Sequence, residues 1–342
     1  MKEKYSGLDI SQFISSILII FIHSGRMFEN DLAQFILKSG LCRIAVPLFL
    51  ITNGYFYRKM SLSTPNYHPI YVKRQLKTYL LWSVVYLPYG LQMLSNFNIE
   101  AKYYPLALIF ALMYLGVCYH LWYFPALIFA IWLVEKLKKY LSYKLLVVLA
   151  LIFYSFGALE TYSSYTRGTA LGQMFDQYKS IFFTSKNGLF FAFIFILLGF
   201  IIHDFQQAKI FKQHILVKLI ISIFIYCLEG KVIFNNQGYD KNFIFSLIIL
   251  VPIIFLLIIQ SKFKWNKSWI LRSYSKKLFL LHPMFLEIIK MSIENSGVEK
   301  FQGFPLFLST LSSCLACIFI VDKIISNSIF NQRRIKIPNK VN

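Results

Sequence analysis

The sequence has little charge for its length, and acidic side chains are the scarcer kind. Charged residues make up 15% of the 342 positions, with 36 Lys and Arg against 15 Asp and Glu, whereas soluble domains carry roughly 25%. The apolar residues come in long blocks, such as 189–202 and 244–259. Because a helix that is apolar on every face is buried or lies in lipid, a series of such runs excludes a soluble fold and indicates an integral membrane protein.

The patterns of several common functional sites are missing as well. The five cysteines lie mostly in apolar segments and give neither a disulfide framework nor a zinc-ligand spacing. There is no phosphate-binding Walker loop, no dinucleotide glycine pattern and no G-x-S-x-G nucleophile turn. The sequence therefore predicts no metal site and no permanently bound cofactor.

The first apolar stretch, residues 10–22, follows a short charged segment and so resembles a signal peptide. No small-x-small cleavage site comes after it, because the chain continues with His23, Ser24, Gly25 and Arg26. We expect a retained first transmembrane helix.

The apolar runs are sufficient for about ten transmembrane helices, since one span needs about 20 apolar residues. The predicted spans are 8–26, 42–57, 78–95, 119–134, 145–160, 187–203, 214–229, 243–260, 277–293 and 305–322. Another apolar run, 103–118, is short and is bracketed by Pro105 and Gly116, so we expect an interfacial or re-entrant segment there. The predicted fold is all-α and polytopic, with one transmembrane domain over 1–330 and a basic cytoplasmic tail over 331–342.

The basic residues are distributed unevenly between the connections that these spans define. With the N-terminus inside, 25 of the 36 Lys and Arg fall on the cytoplasmic side and 10 on the opposite side, while Lys290 lies within a predicted span. This positive-inside pattern predicts a multi-pass plasma-membrane protein with both termini in the cytoplasm. The net charge of +21 is then topological. It favours contact with anionic lipids and lends no support to nucleic-acid binding.

Ionisable side chains within membrane spans are costly, and by default they indicate function. Asp9 and His23 are 14 residues apart on the first predicted helix, about 21 Å along its axis, so we expect Asp9 near the cytoplasmic face and His23 in the outer part of the membrane. A histidine there is able to take a proton from a hydroxyl, although a lone helix histidine is often just a satisfied polar group. Arg43 opens the second helix, where it either snorkels to the interface or holds a carboxylate, a phosphate or a thioester oxygen.

Four further polar residues at predicted outer helix ends are candidates for substrate binding. They are His120, Lys186, Asn187 and Glu229. Their shared side is suggestive only, because helix ends are polar anyway, and His120 beside Trp122 also fits an aromatic belt. His282 differs, since it lies about five residues into the predicted span 277–293, near the cytoplasmic side. Because Pro283 follows it, a structural role at a kink is at least as well supported as catalysis.

Five stretches follow one another along the chain: GLDISQFISSILIIFIHS, RIAVPLFLITNGYFYRK, HLWYFPALIFA, KNGLFFAFIFILLGFII and LFLLHPMF. Their order and spacing resemble those of the acyltransferase 3 family of integral membrane O-acyltransferases. The chain resembles this family over essentially its whole length, and within it the branch that includes the membrane domain of membrane-bound serine racemases. Asp9 and His23 match the family's first-helix aspartate and histidine, and Arg43 matches its second-helix arginine.

The resemblance implies transfer of an acyl group, usually acetyl, from cytoplasmic acyl-CoA to a hydroxyl of a bacterial cell-envelope glycan or its lipid-linked precursor. His23 would be the general base and Arg43 would position the acyl or acceptor group, with acyl-CoA as a co-substrate. The basic inner segments 58–77 and 262–277 would receive the CoA phosphates. In the first of these the candidate residues are Arg58, Lys59, Lys73 and Arg74. One departure weakens the inference: many members have a basic residue three positions after the first-helix aspartate, and here Gln12 stands there.

Two other classes of function stay open. A transporter or binder of a small molecule such as serine fits both the racemase branch and the presence of Gln12. A non-catalytic sensor or scaffold is a weaker alternative, since the intact Asp9, His23 and Arg43 argue against it. The acyl group, the acceptor and the oligomeric state are left open.

Overall fold

The structure is a computed structural model that describes residues 5–97, 99–294 and 301–335, with side chains described to residue 293 in the second range and to 326 in the third. Within these ranges the regular secondary structure is entirely helical, without strands. Apolar runs favour this outcome, because a helix satisfies its backbone N–H and C=O groups within the segment and needs no water to do so. The predicted all-α class is therefore confirmed for the described residues.

The chain forms two compact units. Of the described residues, the first unit holds those up to Leu8 and those within Asn30–Lys264, and the second holds Asp9–Glu29 and those from Trp265 onward. The first helix, α1 (Ser6–His23), begins in the first unit and lies mostly in the second. The second unit also contains α15 (Ser268–Glu294) and α16 (Phe304–Ile335).

The other helices belong to the first unit. They are α2 (Asp31–Gln34), α3 (Ala45–Ser63), α4 (Tyr67–Val85), α5 (Leu87–Asn96), α6 (Tyr104–Phe110), α7 (Tyr123–Leu137), α8 (Tyr143–Ala158), α9 (Ser163–Thr166), α10 (Ala170–Phe182), α11 (Phe193–Asp204), α12 (Lys209–Lys212), α13 (Ile215–Asn235) and α14 (Leu247–Gln260). Turns of π-helix lie at Phe35–Gly40, Ala111–Leu115 and Gly188–Ala192, and turns of 3-10 helix at Leu41–Ile44 and Ala101–Tyr103.

Helices α3 and α11 pack backbone against backbone in the first unit. A Cβ atom added to Gly54 would lie 2.4 Å from the carbonyl oxygen of Ile196, and one added to Gly199 would lie 2.4 Å from the carbonyl oxygen of Ile51. Small residues allow this close approach, as they commonly do between membrane helices. The two glycines therefore set the distance between α3 and α11.

The C-terminal ends of α3 and α11 are joined through Asp204. Its carboxylate accepts hydrogen bonds from Arg58 Nε (2.8 Å) and Nη2 (2.9 Å) and from the Tyr143 hydroxyl (2.6 Å), and His203 Nδ1 lies 3.1 Å away. Burial by itself raises the pKa of Asp204, but these hydrogen bonds outweigh it, so the pKa lies below its usual value. Arg58 follows Gly54 in α3, and Asp204 follows Gly199 in α11, so each lies on the C-terminal side of the point where the two helices are closest. Because Arg58 and Asp204 contact each other, the two helices run in the same direction.

In the second unit, α1 and α15 also run in the same direction. Asp9 accepts a hydrogen bond from the Ser268 hydroxyl (2.7 Å), and further along both helices the carbonyl of Gln12 accepts one from the Ser275 hydroxyl (2.8 Å). Residues further along α1 thus meet residues further along α15.

Helix α16 runs antiparallel to α15. Lys277, in the first half of α15, forms an ion pair with Asp322, beyond the middle of α16. The apolar core of this unit is formed by Ile20, Leu278, Phe307, Cys314 and Ile318. All three helices therefore contribute side chains to one core.

Each of the ten predicted spans overlaps a helix in the described residues. By length and composition, three stretches could cross a membrane: Ser6–His23, Asp31–Ser63 and Phe304–Ser326. Shorter apolar helices are Ala101–Leu115, Tyr143–Ala158, Gly188–Asp204 and Leu247–Gln260. The number of crossings and the orientation of the termini remain predictions.

Several predicted boundaries are wrong. The segment 78–95 is not one helix, because the chain leaves helical geometry at Tyr86 and α5 starts afresh with Pro88 in its first turn. The connection 161–186 is predicted to be polar and without a span, and the 13-residue helix α10 that it contains does not contradict this prediction.

The basic segments 58–77 and 262–277 are largely helical as well. Helix α3 continues to Ser63, and α4 begins at Tyr67. Helix α15 begins at Ser268, nine residues before the predicted start at 277. Apolar periodicity marks the part of a helix that lies in lipid or in a core, so polar turns that extend the same helix are missed. Likewise α16 continues to Ile335, and residues 336–342 of the predicted tail lie outside the described residues.

Candidate functional site

Asp9 and His23 lie near opposite ends of α1. The helix is continuous from Ser6 to His23, so the two residues are about 21 Å apart along its axis. Asp9 is 6% exposed, accepts a hydrogen bond from the Ser268 hydroxyl (2.7 Å) and lies 3.4 Å from Nε of Arg272. The predicted carboxylate is thus held in place by two residues of α15.

At the other end of α1, His23 stacks on His282. The ring centres are 5.6 Å apart and the ring planes are inclined by 22°. His282 is fully buried, and its Nδ1 lies 3.1 Å from the carbonyl oxygen of Leu278. A carbonyl oxygen only accepts hydrogen bonds, so Nδ1 carries the proton in the neutral ring and Nε2 keeps its lone pair.

The position expected for His282 is wrong. Counted from a helix start at 277, His282 would lie close to the end of the bundle that holds Asp9. Because α15 begins at Ser268, His282 comes 14 residues after the partner of Asp9, which is the same spacing that separates Asp9 from His23. The pairing of Asp9 with Ser268 and of His23 with His282 follows from two parallel helices in register.

In the first unit, Arg43 lies in the 3-10 turn Leu41–Ile44 that leads into α3. Its Nη1 donates a hydrogen bond to Oδ1 of Asn242, which is 199 positions away in the chain. Its Nε is closed to solvent and donates to none of the described residues. The guanidinium therefore keeps donor capacity that the described part of the chain does not use.

The segment that carries Asn242 is fixed by a short polar network. Asp240 Oδ1 accepts from the Asn242 N–H (2.8 Å) and from the Thr161 hydroxyl (3.2 Å), and its Oδ2 accepts from Asn242 Nδ2. Thr161 Oγ1 in turn accepts from the Phe243 N–H (3.0 Å). The segment before α14 is thereby bound to the segment after α8, and Asn242 is held against Arg43.

Lys186 and Asn187 precede the π-helical turn that leads into α11, and they differ in role. Asn187 Oδ1 accepts from the N–H groups of Leu189 (2.8 Å) and Phe190 (2.9 Å), which makes it a helix cap. Lys186 Nζ lies 5.1 Å from the centre of the Trp122 ring. Burial lowers the pKa of Lys186. The contacts of Asn187 explain it structurally, whereas Lys186 is a partly desolvated cation.

Glu229 lies close to the segment that enters α14. Its Oε1 accepts from the Phe245 N–H (2.7 Å) and the Tyr162 hydroxyl, and its Oε2 accepts from the N–H (2.7 Å) and hydroxyl of Ser246. These bonds satisfy backbone donors that would otherwise be left without partners near the helix start. They account for Glu229 without a ligand, so its role in substrate binding stays a prediction.

His120 lies in the turn before α7 and is 3% exposed. Its ring meets the edge of the Tyr86 ring, with centres 4.9 Å apart. An aromatic belt places its rings at the surface of the protein, so the buried ring of His120 does not fit that interpretation. Its predicted contact with substrate remains a prediction.

The match to known families decides the general class of the protein. A family model described as an acyltransferase domain matches residues 5–323. The chain belongs to this acyltransferase family. Members of the family are associated with membranes, which agrees with the apolar helices of the structure.

The curated relatives of this acyltransferase-family chain are named racemases. A serine/alanine racemase of Enterococcus gallinarum is 26% identical over 300 residues, which cover 83% of this chain and 41% of the relative. Two amino-acid racemases of Enterococcus faecalis are 27% and 26% identical over 260 and 350 residues, covering 72% and 96% of this chain and 34% and 47% of the relatives. The chain thus spans less than half the length of these relatives. No solved structure matches it.

The four cations predicted to hold CoA phosphates have different surroundings in the first unit. Arg58 is occupied by Asp204, and Lys59 Nζ donates to the Tyr5 hydroxyl (3.2 Å). Lys73 and Arg74 are exposed on α4, and Arg74 Nη2 also donates to the Tyr67 hydroxyl (3.4 Å). Lys73 is therefore more readily available to a phosphate than the other three residues.

Sequence reasoning missed the acidic and amide partners of the site. Asp240 and Asn242 lie in the predicted outer connection between the spans 214–229 and 243–260, and Arg43 is predicted on the same side of the membrane. That shared side is the only feature of the sequence that relates them to Arg43. The contact of His23 with His282 was not predicted, because α15 begins nine residues before the predicted start at 277. Among the described residues, no group of three His, Cys, Asp or Glu is placed to hold a metal ion.

Proposed function

We propose that the chain is a membrane O-acyltransferase that moves an acyl group, acetyl in the first instance, from cytoplasmic acyl-CoA to a hydroxyl of an extracytoplasmic envelope glycan or its lipid-linked precursor. The observation that carries the proposal is the histidine pair. His23 stands at the end of a helix long and apolar enough to span a membrane, in a chain of an acyltransferase family. It stacks on a second histidine whose ring is oriented by a backbone carbonyl.

The chemistry requires one base and one acid at the same place. The imidazole of His23 takes the proton of the acceptor hydroxyl as its oxygen attacks the thioester carbonyl. The tetrahedral oxyanion then collapses, the carbon–sulfur bond breaks, and the CoA thiolate leaves. The proton held by His23 ends on that thiolate, so that the acyl ester and free CoA are the products. Acyl-CoA is thus a co-substrate.

The proposed topology has about ten spans with both termini in the cytoplasm of a plasma-membrane protein. Two pairs of parallel helices support it. Helices α1 and α15, the first and ninth predicted spans, run in the same direction, as do α3 and α11, the second and sixth. In a chain that alternates direction at every span, two odd-numbered spans must be parallel, and so must two even-numbered ones.

Cysteine labelling in intact cells checks this topology. With the exposed Cys227 replaced by alanine, Ser180→Cys should react with a membrane-impermeant maleimide from outside. Gln207→Cys, at a position that is also exposed in the structure, should react only after permeabilisation. Labelling of both from outside, or of Gln207→Cys alone, would contradict the orientation.

The enzymatic proposal is tested with the purified full-length chain in lipid nanodiscs. Radiolabelled acetyl-CoA is incubated with envelope glycan fractions, and transfer is followed as label that enters the glycan and is released by mild base, as expected for an ester. Release of free CoA should match the label incorporated. If no fraction accepts label and acetyl-CoA does not bind, the acyltransferase proposal is wrong.

A small-molecule transporter is the second candidate, and the names of the relatives favour it. Three curated relatives are a serine/alanine racemase and two amino-acid racemases, so the substrate of a transporter would be an amino acid such as serine. Uptake of labelled serine into proteoliposomes, with Arg43→Ala for comparison, separates the two functions. Uptake without any acyl transfer would support the transporter, whereas transfer without uptake would exclude it.

A further inference from the structure

Around Arg43, the first unit holds more cations than carboxylates. Burial lowers the pKa of Lys186, Arg43 adds to this effect, and Asp240 and Glu160 oppose it. Burial also lowers the pKa of Lys241, where Arg43 again adds to the effect and Asp240 opposes it. The contacts place these groups in one region: Arg43 donates to Asn242, the neighbour of Lys241, while Ser185, the neighbour of Lys186, donates to Glu160. Thr161, which follows Glu160 in the chain, donates to Asp240. The region thus holds three cations and two carboxylates.

The two carboxylates are, in addition, bound to other groups. Asp240 accepts from Asn242 and Thr161, as described above. Glu160 Oε2 accepts from the N–H (2.8 Å) and hydroxyl (2.7 Å) of Ser185. In the described part of the chain, neither carboxylate lies within ion-pair distance of the three cations. The two carboxylates thus hydrogen-bond to the loops and do not neutralise the three cations by direct contact, so the cations are available to another partner.

The cations are held in a way that prepares them for a ligand. Arg43 uses Nη1 on Asn242, while its Nε is shut off from solvent without a described partner. Lys186 is placed over the ring of Trp122. An uncompensated charge and an unused donor are both unfavourable where water is scarce, and an anion would satisfy them together.

We propose that Arg43, Lys186 and Lys241 bind an oxyanion of the acceptor, either a carboxylate or a phosphate. A planar guanidinium forms two parallel hydrogen bonds with such a group, and ammonium groups add charge without demanding one geometry. Naming the acceptor as the carrier rests on the proposed acyltransferase function. Binding of the oxyanion itself does not depend on it.

Isothermal titration of the full-length chain in nanodiscs, without acyl-CoA, tests the site. The probes are glucuronate, glucose 6-phosphate and uncharged glucose. At least one acidic sugar should bind and glucose should not. Lys241→Gln should weaken binding by about tenfold or more, because a hydrogen bond to a charged group is lost. Lys231→Gln removes the same charge from an exposed position nearby in the chain and should leave the affinity unchanged.

Each outcome has a definite meaning. Binding of glucuronate alone assigns a carboxylate, and binding of glucose 6-phosphate alone assigns a phosphate. Lys186→Gln provides a second variant if Lys241→Gln does not fold. If Lys231→Gln lowers the affinity as much as Lys241→Gln does, the effect comes from general surface charge, and the proposed binding site is wrong. Oxyanion binding without acyl transfer would refute the proposed acyltransferase function and support the oxyanion site. Transfer to neutral glycans without oxyanion binding would refute the oxyanion site and support the acyltransferase function.

Discussion

His23→Ala is expected to reduce acyl transfer by about 10²- to 10⁴-fold, the range that a positioned general base contributes. Without the imidazole, the acceptor hydroxyl would have to lose its proton to water in a place where water is scarce. The loss should fall on kcat, because the ring acts on the hydroxyl during the reaction and is not a ligand of CoA, so KM for acetyl-CoA should change little. Initial rates with radiolabelled acetyl-CoA measure both.

A matched control removes a different histidine. His214 is exposed and has a positive φ of 52°, a conformation that asparagine adopts more readily than most residues. His214→Asn should therefore fold and retain full activity. Size-exclusion profiles and melting temperatures of both variants establish that a lost rate is not a lost fold. Undiminished transfer by folded His23→Ala would remove His23 from the mechanism.

The fold class and the helices that carry the site could be predicted because they depend on local composition. Asp9 and His23 do lie on one continuous helix, and Arg43 does lead into the next long one. Both predictions needed only the length of apolar runs and the rise per residue of a helix. The ends of helices could not be predicted equally well, as α15 illustrates, because its first turns are basic and carry no apolar signal.

The partners of the site residues depend on contacts between distant parts of the chain. Arg43 and Asn242 are 199 positions apart, and no pattern within a single sequence links them. Glu229 and Asn187 are polar at predicted helix ends, yet both accept hydrogen bonds from backbone N–H groups nearby. The predicted end at Glu229 is wrong, because α13 continues to Asn235. Polarity at a helix end thus identifies a residue that needs a partner, and the structure decides whether that partner is the backbone or is still missing, as for Arg43 Nε.

Gly199→Val is expected to prevent the first unit from folding. A Cβ atom at Gly199 would lie 2.4 Å from the carbonyl oxygen of Ile51 and 2.6 Å from the backbone nitrogen of Tyr55. These are backbone atoms in the middle of a helix and cannot turn aside as the end of a side chain could. Even Gly199→Ala should cost about 3 kcal/mol or more, at the upper end of the usual range for overpacking. Thermal unfolding in detergent measures both variants.

Gly230→Ala is the matched control for this pair. Its added Cβ would meet only Phe35, at an ordinary 3.9 Å, and alanine is the better helix former by about 1 kcal/mol. Its melting temperature should therefore stay the same or rise, and a large fall would contradict the argument from close approach.

Because α3 and α11 are parallel, Arg43 and Lys186 lie before the starts of two helices that Gly54 and Gly199 hold together. Gly199→Ala, where it still folds, should therefore also weaken oxyanion binding, which ties the packing of this pair to the site that precedes it.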